Sequence, residues 1–491
     1  MAMWKVVYDG KTPPPGAAVA PDERLSWGRT TGLGAQHVVA MFGATFVFPI
    51  VMGLNPNLAI MMSGIATICF LLIVKNKVPS YLGTSASFVG GAGAIYAQGG
   101  GPSDVTGAIL VAGVVLALVG VAVHFLGSHT LNRVLPPVVT GGVVMLIGFN
   151  LAPVATNGYM PEDYWIALIT MAAVILMAVG FRGFLGRIAI FLGLIFGYVL
   201  SWLADRVFGQ ITSVPPGGAE AVEHWRVDWT AVQAADWFGF PNKTAEGLTG
   251  NALQNGTLDQ VGWHLPSFSI TFTLLVLPAV IALVAENVGH VKAVAEMTDR
   301  DLDPYMGRAL AGDGIGTVIT SSVGGSPTTT YAENIGVMAA TRVYSTAAYF
   351  VAAAVAILLG LVPKFGAIVN ETPGGVLGGI TLVLYGMIGL LGAKIWAENN
   401  VDFARQVNLV PIAGGLIMGI GLGTDRFFPI SDDFTLGGIA MGTLIIVIGW
   451  HLANAFAPKD LDDGALIVAG SPGTQREDDV PPADGGTHRS S

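Results

Sequence analysis

Three acidic residues lie in parts of this 491-residue chain that otherwise avoid charge. Glu286 occurs in LPAVIALVAENVGHVKAV, Asp313 in GDGIGT and Glu333 in TTYAENIGVMAATR, and His290 follows Glu286 by four residues. In a helix, Glu286 and His290 would share one face. Carboxyl and imidazole groups can bind a polar ligand or exchange protons with it, so these residues indicate a binding or proton-transfer site.

The composition places these residues in a membrane protein. Hydrophobic residues make up 52% of the chain and charged residues 11%, and the mean hydropathy is +0.64. Apolar stretches of about 20 residues, the length that crosses a bilayer, recur along the sequence. An acidic side chain at the centre of a membrane helix costs roughly 3 kcal/mol, which favours function over a purely structural contact. For Asp313 both interpretations stay open, because its flanking glycines indicate a helix end.

The apolar segments form two sets of seven on either side of a polar loop. The first set lies near residues 32–52, 57–74, 81–97, 107–127, 137–156, 163–181 and 187–205. The second set lies near residues 267–291, 308–325, 327–341, 345–363, 375–396, 407–423 and 435–456. We therefore predict an all-α polytopic protein with a cytoplasmic N-terminal tail (1–26), a first repeat (27–205), an extracytoplasmic loop (206–266), a second repeat (267–456) and a disordered cytoplasmic tail (457–491).

The charge distribution supports this topology. With fourteen crossings and a cytoplasmic N-terminus, most of the 23 lysines and arginines fall on the cytoplasmic side, as the positive-inside bias requires. Both termini are then expected in the cytoplasm. We expect no cleavable signal peptide, no lipidation, no nucleic-acid binding, no cofactor and no metal site, and the single cysteine, Cys69, excludes an internal disulfide.

Two segments are not ordinary membrane helices. Residues 79–91 (PSYLGTSASFVGG) and 327–337 (PTTTYAENIGV) each open with proline, continue with a hydroxyl-rich, β-prone run, and then become helical. They are the third and tenth segments, which are equivalent places in the two sets. Interrupted segments at matching positions predict two inverted repeats of seven, with short strands and a binding site at the breaks. The alternative is a pair of irregular helices that merely pack.

The tenth segment also suggests what would bind. A helix that begins near Ala332 exposes unpaired backbone N–H groups at its positive end, and Glu333 places an acceptor beside those donors. A small flat ring with alternating N–H and C=O groups, such as uracil, would satisfy both. A bare anion such as sulfate would suit the N–H groups but would be repelled by Glu286 and Glu333.

The sequence AENIGVMAATR resembles the signature of the nucleobase–ascorbate transporter family. Its fixed positions are filled by Glu333, Asn334, Gly336, Thr341 and Arg342. GAQHVVAMFGATFVFP resembles the Gln-His element of the family's first crossing, while PSYLGTSASF and AENVGHVKAV look like its third and eighth crossings. The resemblance spans roughly residues 27–456 and is strongest to the bacterial uracil permease branch, including permeases that accompany pyrimidine utilisation.

The resemblance implies roles for individual residues. Glu286 would bind the ring N–H groups of uracil, and His290 would hydrogen-bond Glu286 and take part in proton coupling. Glu333 would face the substrate, and backbone N–H groups near Ala86 and Ala332 would bind the ring carbonyls. The family's uracil carriers often have phenylalanine at the first of these alanines and glycine at the second. The smaller side chain at residue 86 could widen the pocket and relax pyrimidine selectivity.

Other candidates have weaker support. Gln36, His37 and Asn334 are expected to support the site, and His37 is as consistent with bracing the first helix as with touching substrate. Tyr331 is either a wall of the pocket or ordinary packing. Asp313 is a further candidate for proton coupling, after Glu286 and His290.

The family's architecture and activity are implied in the same way. A core domain of segments 1–4 and 8–11 would carry the site and move against a gate domain of segments 5–7 and 12–14, in a homodimer in the inner membrane. The expected activity is proton-coupled uracil uptake. Alternatives are a xanthine or other purine permease, which tends to have glutamine at the Glu333 position, and an anion transporter of the same fold. A membrane enzyme is disfavoured, because the sequence has no HExxH motif, nucleophile elbow or paired cysteines.

The polar C-terminal tail gives a first prediction. Deleting residues 460–491 should leave uptake intact, because this stretch has few apolar residues to bury. The measurement is uptake of radiolabelled uracil by cells producing equal amounts of the full-length and shortened proteins. Uptake at background in the shortened protein would show that the tail has a role.

Overall fold

The computed structural model describes residues 4–11, 13–14, 16–127, 129–214, 220–241, 262–423, 426–431 and 434–457. The predicted disordered tail lies, from residue 458 onward, outside these residues, as does part of the predicted extracytoplasmic loop.

The described chain is mostly helical. Its α-helices are α1 (Trp27–Val51), α2 (Pro56–Ile73), α3 (Val89–Ala97), α4 (Pro102–Leu126), α5 (His129–Val134), α6 (Pro137–Asn150), α7 (Tyr164–Gly180), α8 (Phe184–Arg187), α9 (Ala189–Phe208), α10 (Thr230–Ala234), α11 (Ile270–Val276), α12 (Ala279–Thr298), α13 (Asp303–Ser321), α14 (Ala332–Thr341), α15 (Thr346–Gly360), α16 (Pro363–Asn370), α17 (Gly374–Glu398), α18 (Gln406–Leu422) and α19 (Gly438–Phe456). Short 3₁₀ or π turns cover Tyr8–Gly10, Ala86–Phe88, Val154–Tyr159 and Met160–Glu162.

The strands are short and pair two by two. They are β1 (Lys5–Val6), β2 (Glu23–Arg24), β3 (Leu82–Thr84), β4 (Ile211–Ser213), β5 (Val222–His224), β6 (Thr328–Thr330), β7 (Phe427–Ser431) and β8 (Phe434–Gly437). β1 and β2 pair in parallel, whereas β3 with β6, β4 with β5, and β7 with β8 pair antiparallel.

Eight helical stretches in the described residues are long and apolar enough to cross a bilayer, or nine if α15 and α16, which meet at an 82° bend, form one broken span. Shorter apolar helices cover Ala86–Ala97, Tyr164–Gly180 and Gln406–Leu422. Each of the fourteen predicted segments coincides with helical structure, but several are short or interrupted. The chain is therefore a multi-pass membrane protein, and the number fourteen remains a prediction.

Several helices begin at signals that the sequence carries. α2, α4, α6 and α16 start at a proline, which fits the first helical turn because its missing N–H group is not needed there. Asn55 caps α2 through the amide of Leu58, and Asp163 caps α7 through the amides of Trp165 and Ile166. These caps satisfy N–H groups that would otherwise be unpaired in an apolar environment.

The helices pack in two groups. In the first, α4 and α2 pack on α13, α15 packs on α2, and α1 packs on both α2 and α15. In the second, α17 packs on α6, α7 and α9, while α18 and α19 pack on each other and on α6. α12 contacts members of both groups, since it touches α4 and α13 as well as α6. The residues of α12 thus lie at the boundary between the groups.

The crossing of α4 and α13 depends on glycine. A Cβ atom on Gly120 would overlap the backbone of Ala311, and one on Gly307 would overlap the backbone of His124. Small residues at such crossings let two helix backbones touch, which strengthens their van der Waals contact in a membrane. α13 then forms a fixed support beneath β6.

Gly307→Val should destabilise the protein by about 1–3 kcal/mol, because the new side chain forces α4 and α13 apart. The matched control is Gly386→Val in the middle of α17, where no atom lies within 4 Å of the added Cβ. Thermal unfolding of the purified variants in detergent measures the difference. Equal melting temperatures for both variants would contradict the role of this crossing.

Candidate functional site

The antiparallel pair β3–β6 joins the two interrupted segments at the centre of the first helix group. Leu82 pairs with Thr330, Gly83 with Thr329 and Thr84 with Thr328. All three β6 threonines are 1% exposed. The two breaks that the sequence indicated therefore meet, although they lie more than 240 residues apart in the chain.

Tyr331 stabilises the pairing of β3 with β6 through its hydroxyl group. Its hydroxyl donates to the Thr84 carbonyl oxygen at 2.7 Å and accepts from the Thr45 hydroxyl at 3.1 Å. A Cβ atom at Gly83 would overlap the Tyr331 ring, so residue 83 must be glycine. The Tyr331 hydroxyl is used between the strands and the residue is 4% exposed, a geometry that fits the packing role, while a contact of its ring with substrate stays a prediction.

A short helix follows each strand. After β3, the Ala86–Phe88 turn leads into α3, and the Ser85 side chain accepts from the amide of Ser87 at 3.3 Å. After β6, α14 begins at Ala332 without a side-chain cap. Ala332 is exposed and Ala86 is partly exposed. Because no side chain caps this helix, backbone N–H groups in its first turn are candidates to bind a ligand.

The acidic residues gather beside this helix start. Glu286 on α12 and Glu333 in the first turn of α14 are partly exposed, and their carboxyl groups interact electrostatically. Thr329, in β6, lies close to both Glu286 and Asp313. Asp313, on α13, is fully buried and accepts a hydrogen bond from Asn287 at 3.3 Å. The three carboxyl groups thus form one connected cluster around the β6 strand.

His290 differs from the expectation drawn from the family resemblance. Its Nδ1 atom hydrogen-bonds the Thr330 hydroxyl at 2.8 Å, rather than the carboxyl group of Glu286. The reason is that β6 lies against α12, so the Thr330 hydroxyl reaches the His290 ring. His290 and Glu286 are connected through β6.

His37 and Asn334 brace α1 against α14. The Asn334 side-chain amide donates to the His37 carbonyl oxygen at 2.9 Å and lies 3.3 Å from its Nδ1 atom. The His37 ring, 1% exposed, packs on Tyr349 at 4.3 Å between ring centroids. The neighbouring Gln36 is partly exposed, and its side-chain oxygen has no hydrogen-bond partner in the described residues. The bracing role of His37 is the one that the geometry supports.

Sequence reasoning missed several polar residues of the site. Thr45, Asn287, Thr329 and Thr330 each contact a candidate residue. Their only signal in the sequence was the hydroxyl-rich run before Tyr331, which indicated a strand but not its contacts. Among the described residues, no group of three or more histidine, cysteine, aspartate or glutamate side chains is placed to hold a metal ion.

Comparison with known proteins decides the family. The profile of a family described as a permease family matches residues 28–426. The chain belongs to this permease family. It is 44% identical over 452 residues to the "Putative pyrimidine permease RutG" of Escherichia coli K12, covering 91% of this chain and 93% of that protein. It is 34% identical over 436 residues to the uracil permease of Bacillus caldolyticus, covering 87% and 92% of the two chains.

The fold resembles solved transporters of low sequence identity. The transmembrane domain of a cyanobacterial bicarbonate transporter, BicA, matches with a TM-score of 0.53 at 15% identity, over 86% of this chain and 96% of that chain. The murine anion transporter Slc26a9 in its inward-facing state matches with a TM-score of 0.56 at 11% identity, over 86% and 68% of the two chains. These matches show the fold alone. The family profile and the permease relatives confirm the family resemblance seen in the sequence, and show that the protein is a permease and not an enzyme.

Tyr331→Phe should destabilise the permease by about 1–3 kcal/mol, because the buried Thr84 carbonyl and Thr45 hydroxyl each lose a partner. Tyr385→Phe is the matched control, since the Tyr385 side chain is 2% exposed and its hydroxyl has no partner in the described residues. Thermal unfolding of both variants in detergent makes the comparison. A larger loss in Tyr385→Phe would show that the Tyr331 hydroxyl does not hold the strands together.

Proposed function

We propose that this permease takes up uracil, or a closely related pyrimidine nucleobase, together with a proton, by alternating access across the cytoplasmic (inner) membrane. The observation that carries the proposal is that the start of α14, which has no side-chain cap, lies beside the carboxyl groups of Glu286 and Glu333. Relatives named as pyrimidine or uracil permeases support the same substrate class. The distribution of basic residues in the sequence supports a cytoplasmic location for both termini.

The binding mode follows from complementary hydrogen bonding. Glu286 accepts from the ring N–H groups, and Glu333 reads the neighbouring edge of the ring. The backbone N–H groups near Ala86 and Ala332 donate to the ring carbonyls. Because these donors belong to helix starts, their partial positive charge favours carbonyl oxygens. The substrate is therefore neutral, flat and rich in alternating donors and acceptors.

The acidic cluster supports proton coupling. Two carboxylates placed side by side in a site of low polarity repel each other, so uptake of one proton relieves that repulsion. The buried Asp313 interacts electrostatically with Glu286, and His290 hydrogen-bonds Thr330 of the adjacent strand. Occupancy of the site and protonation of the cluster are then linked, and each favours the other.

The two packing groups support alternating access. The core domain contains α1–α4 and α11–α15 and carries the site, and the gate domain contains α6, α7, α9 and α17–α19. The core moves relative to the gate and exposes the site to each side in turn. We further propose that the permease works as a homodimer, as in other members of its family.

Two observations bear on other substrates. Ala86 leaves room beside the ring, which favours a purine such as xanthine as the second candidate. The solved proteins of similar fold carry bicarbonate or other anions by their names, but the paired carboxyl groups oppose an anion here. Competition of uracil uptake by thymine, xanthine and sulfate separates the three classes. Stronger competition by xanthine than by thymine would replace the pyrimidine assignment with a purine one.

Glu286→Gln should abolish proton-driven accumulation and the pH dependence of uptake, because an amide cannot exchange the proton. Uracil should still bind, about tenfold more weakly, since a neutral acceptor replaces a charged one. The measurement is uptake into liposomes with and without an imposed pH gradient, together with isothermal titration.

Glu333→Gln is the matched variant, and it should alter base selectivity more than coupling. Accumulation at the level of the unmodified protein in Glu286→Gln would place the proton elsewhere, with Asp313 as the next residue to test.

A further inference from the structure

Residues 226–241, which we call the outer strap, connect the two helix groups at one end of the molecule. The strap follows the β4–β5 hairpin and includes α10. All of its residues are described, and none of them belongs to the substrate site. Its two ends are attached to different helix groups.

The first attachment is to the ends of α7 and α9. Arg226 donates through Nε to Asp163 at 2.7 Å and through Nη1 to Asp205 at 3.0 Å. The backbone amides of Arg226 and Val227 also donate to the Asp205 carboxylate, at 3.2 and 3.0 Å. Both aspartate side chains are 9% exposed. Charge-assisted bonds between groups buried to this extent make a firm attachment, because separating them would leave buried charges without partners.

The second attachment is to the bend between α15 and α16. The Gly239 amide donates to the Leu361 carbonyl at 3.0 Å, and the Lys364 amide donates to the Asp236 carbonyl at 3.0 Å. The Lys364 ammonium group also lies over the Trp237 ring, 5.0 Å from its centroid. These are two neutral backbone hydrogen bonds and one exposed cation–π contact, so this attachment is weaker than the first.

The two attachments lie on different sides of the proposed domain boundary. α7 and α9 pack with α17, whereas α15 packs on α1 and α2, and α16 packs on α2. Along α12, Gly289 and Lys292 follow Glu286 and are exposed. Arg300, just beyond the end of α12, bonds Asp22, and the neighbouring Pro21 accepts from the Thr346 amide at the start of α15. Because the strap is attached beyond the other end of α15, the exposed α12 residues lead toward the side of the molecule away from the strap.

We propose that the outer strap is a latch that holds the outer side of the permease closed. The Arg226 end stays on the gate domain throughout the cycle, and the Asp236–Gly239 end leaves the α15–α16 bend when the core moves and the outer side opens. This inference rests on the proposed alternating access. It assigns to the strap a regulatory contact whose strength limits the rate of outward opening.

A reversible cross-link at the second attachment tests the latch. In a Cys69→Ser background, which removes the only cysteine, the pair Asp236→Cys and Lys364→Cys is oxidised to a disulfide and then reduced. Uracil uptake into liposomes should fall at least tenfold on oxidation and recover on reduction. Peptide mass spectrometry measures the cross-linked fraction. The pair Gly239→Cys and Leu361→Cys repeats the test at the neighbouring hydrogen bond.

The matched control cross-links the same loop without joining the two groups. Thr212 and Glu223 are partners in the β4–β5 pairing, and cross-strand partners have the Cα separation that a disulfide requires. The protein that carries Thr212→Cys and Glu223→Cys should take up uracil at the same rate whether its disulfide is oxidised or reduced. Full uptake by the cross-linked 236–364 and 239–361 pairs would overturn the latch. Absence of nucleobase uptake in the Cys69→Ser background would instead refute the proposed function.

Discussion

In the interior of a bilayer, a chain that leaves its helix must find another partner for every backbone N–H and C=O group. In this protein, β3 and β6 supply these partners to each other, because three residues of one strand pair with three residues of the other. One interrupted segment alone would leave these groups unpaired, so the two breaks require each other. The proposed binding site lies where both helices restart immediately beyond this pairing.

The polar residues around the strands follow from the same constraint. The Tyr331 hydroxyl donates to the Thr84 carbonyl oxygen, and the Thr317 hydroxyl donates to the Thr328 carbonyl oxygen at 3.0 Å. These side chains supply bonds that a regular helix would make internally. In the proposed mechanism, the first turn of α14 binds the substrate, and the nearby carboxyl groups of Glu286 and Glu333 offset the positive end of this helix. The groups that bond the strand backbone are therefore different from the groups proposed to bind the substrate, although the two sets lie side by side.

The sequence allowed the main features of this site to be predicted, because they are local. An acidic residue in an apolar run differs from the usual pattern of a membrane helix, and so does a proline followed by hydroxyl-bearing residues. Both differences can be recognised from the local sequence, without knowledge of the tertiary structure. The partners of His290, Tyr331 and Asn334 were not predictable in this way. Each bonds to a residue at least 40 positions away, so its partner depends on the register of β6 and on the rotation of α1 and α12. For this reason the bond of His290 to Thr330 differs from the bond to Glu286 that the family resemblance implies.

The glycine crossing of α4 and α13 has a thermodynamic consequence. Where helix backbones touch, there are few side-chain rotamers to rearrange, so the helices that support β6 behave as one rigid body. A site carried on such a body keeps the same set of hydrogen-bonding groups whichever side of the membrane it meets. Under the proposed mechanism, its intrinsic affinity for the nucleobase is then equal on both sides. Net flow is set by the concentration and proton gradients alone, and with both dissipated the permease would catalyse only exchange of labelled for unlabelled base.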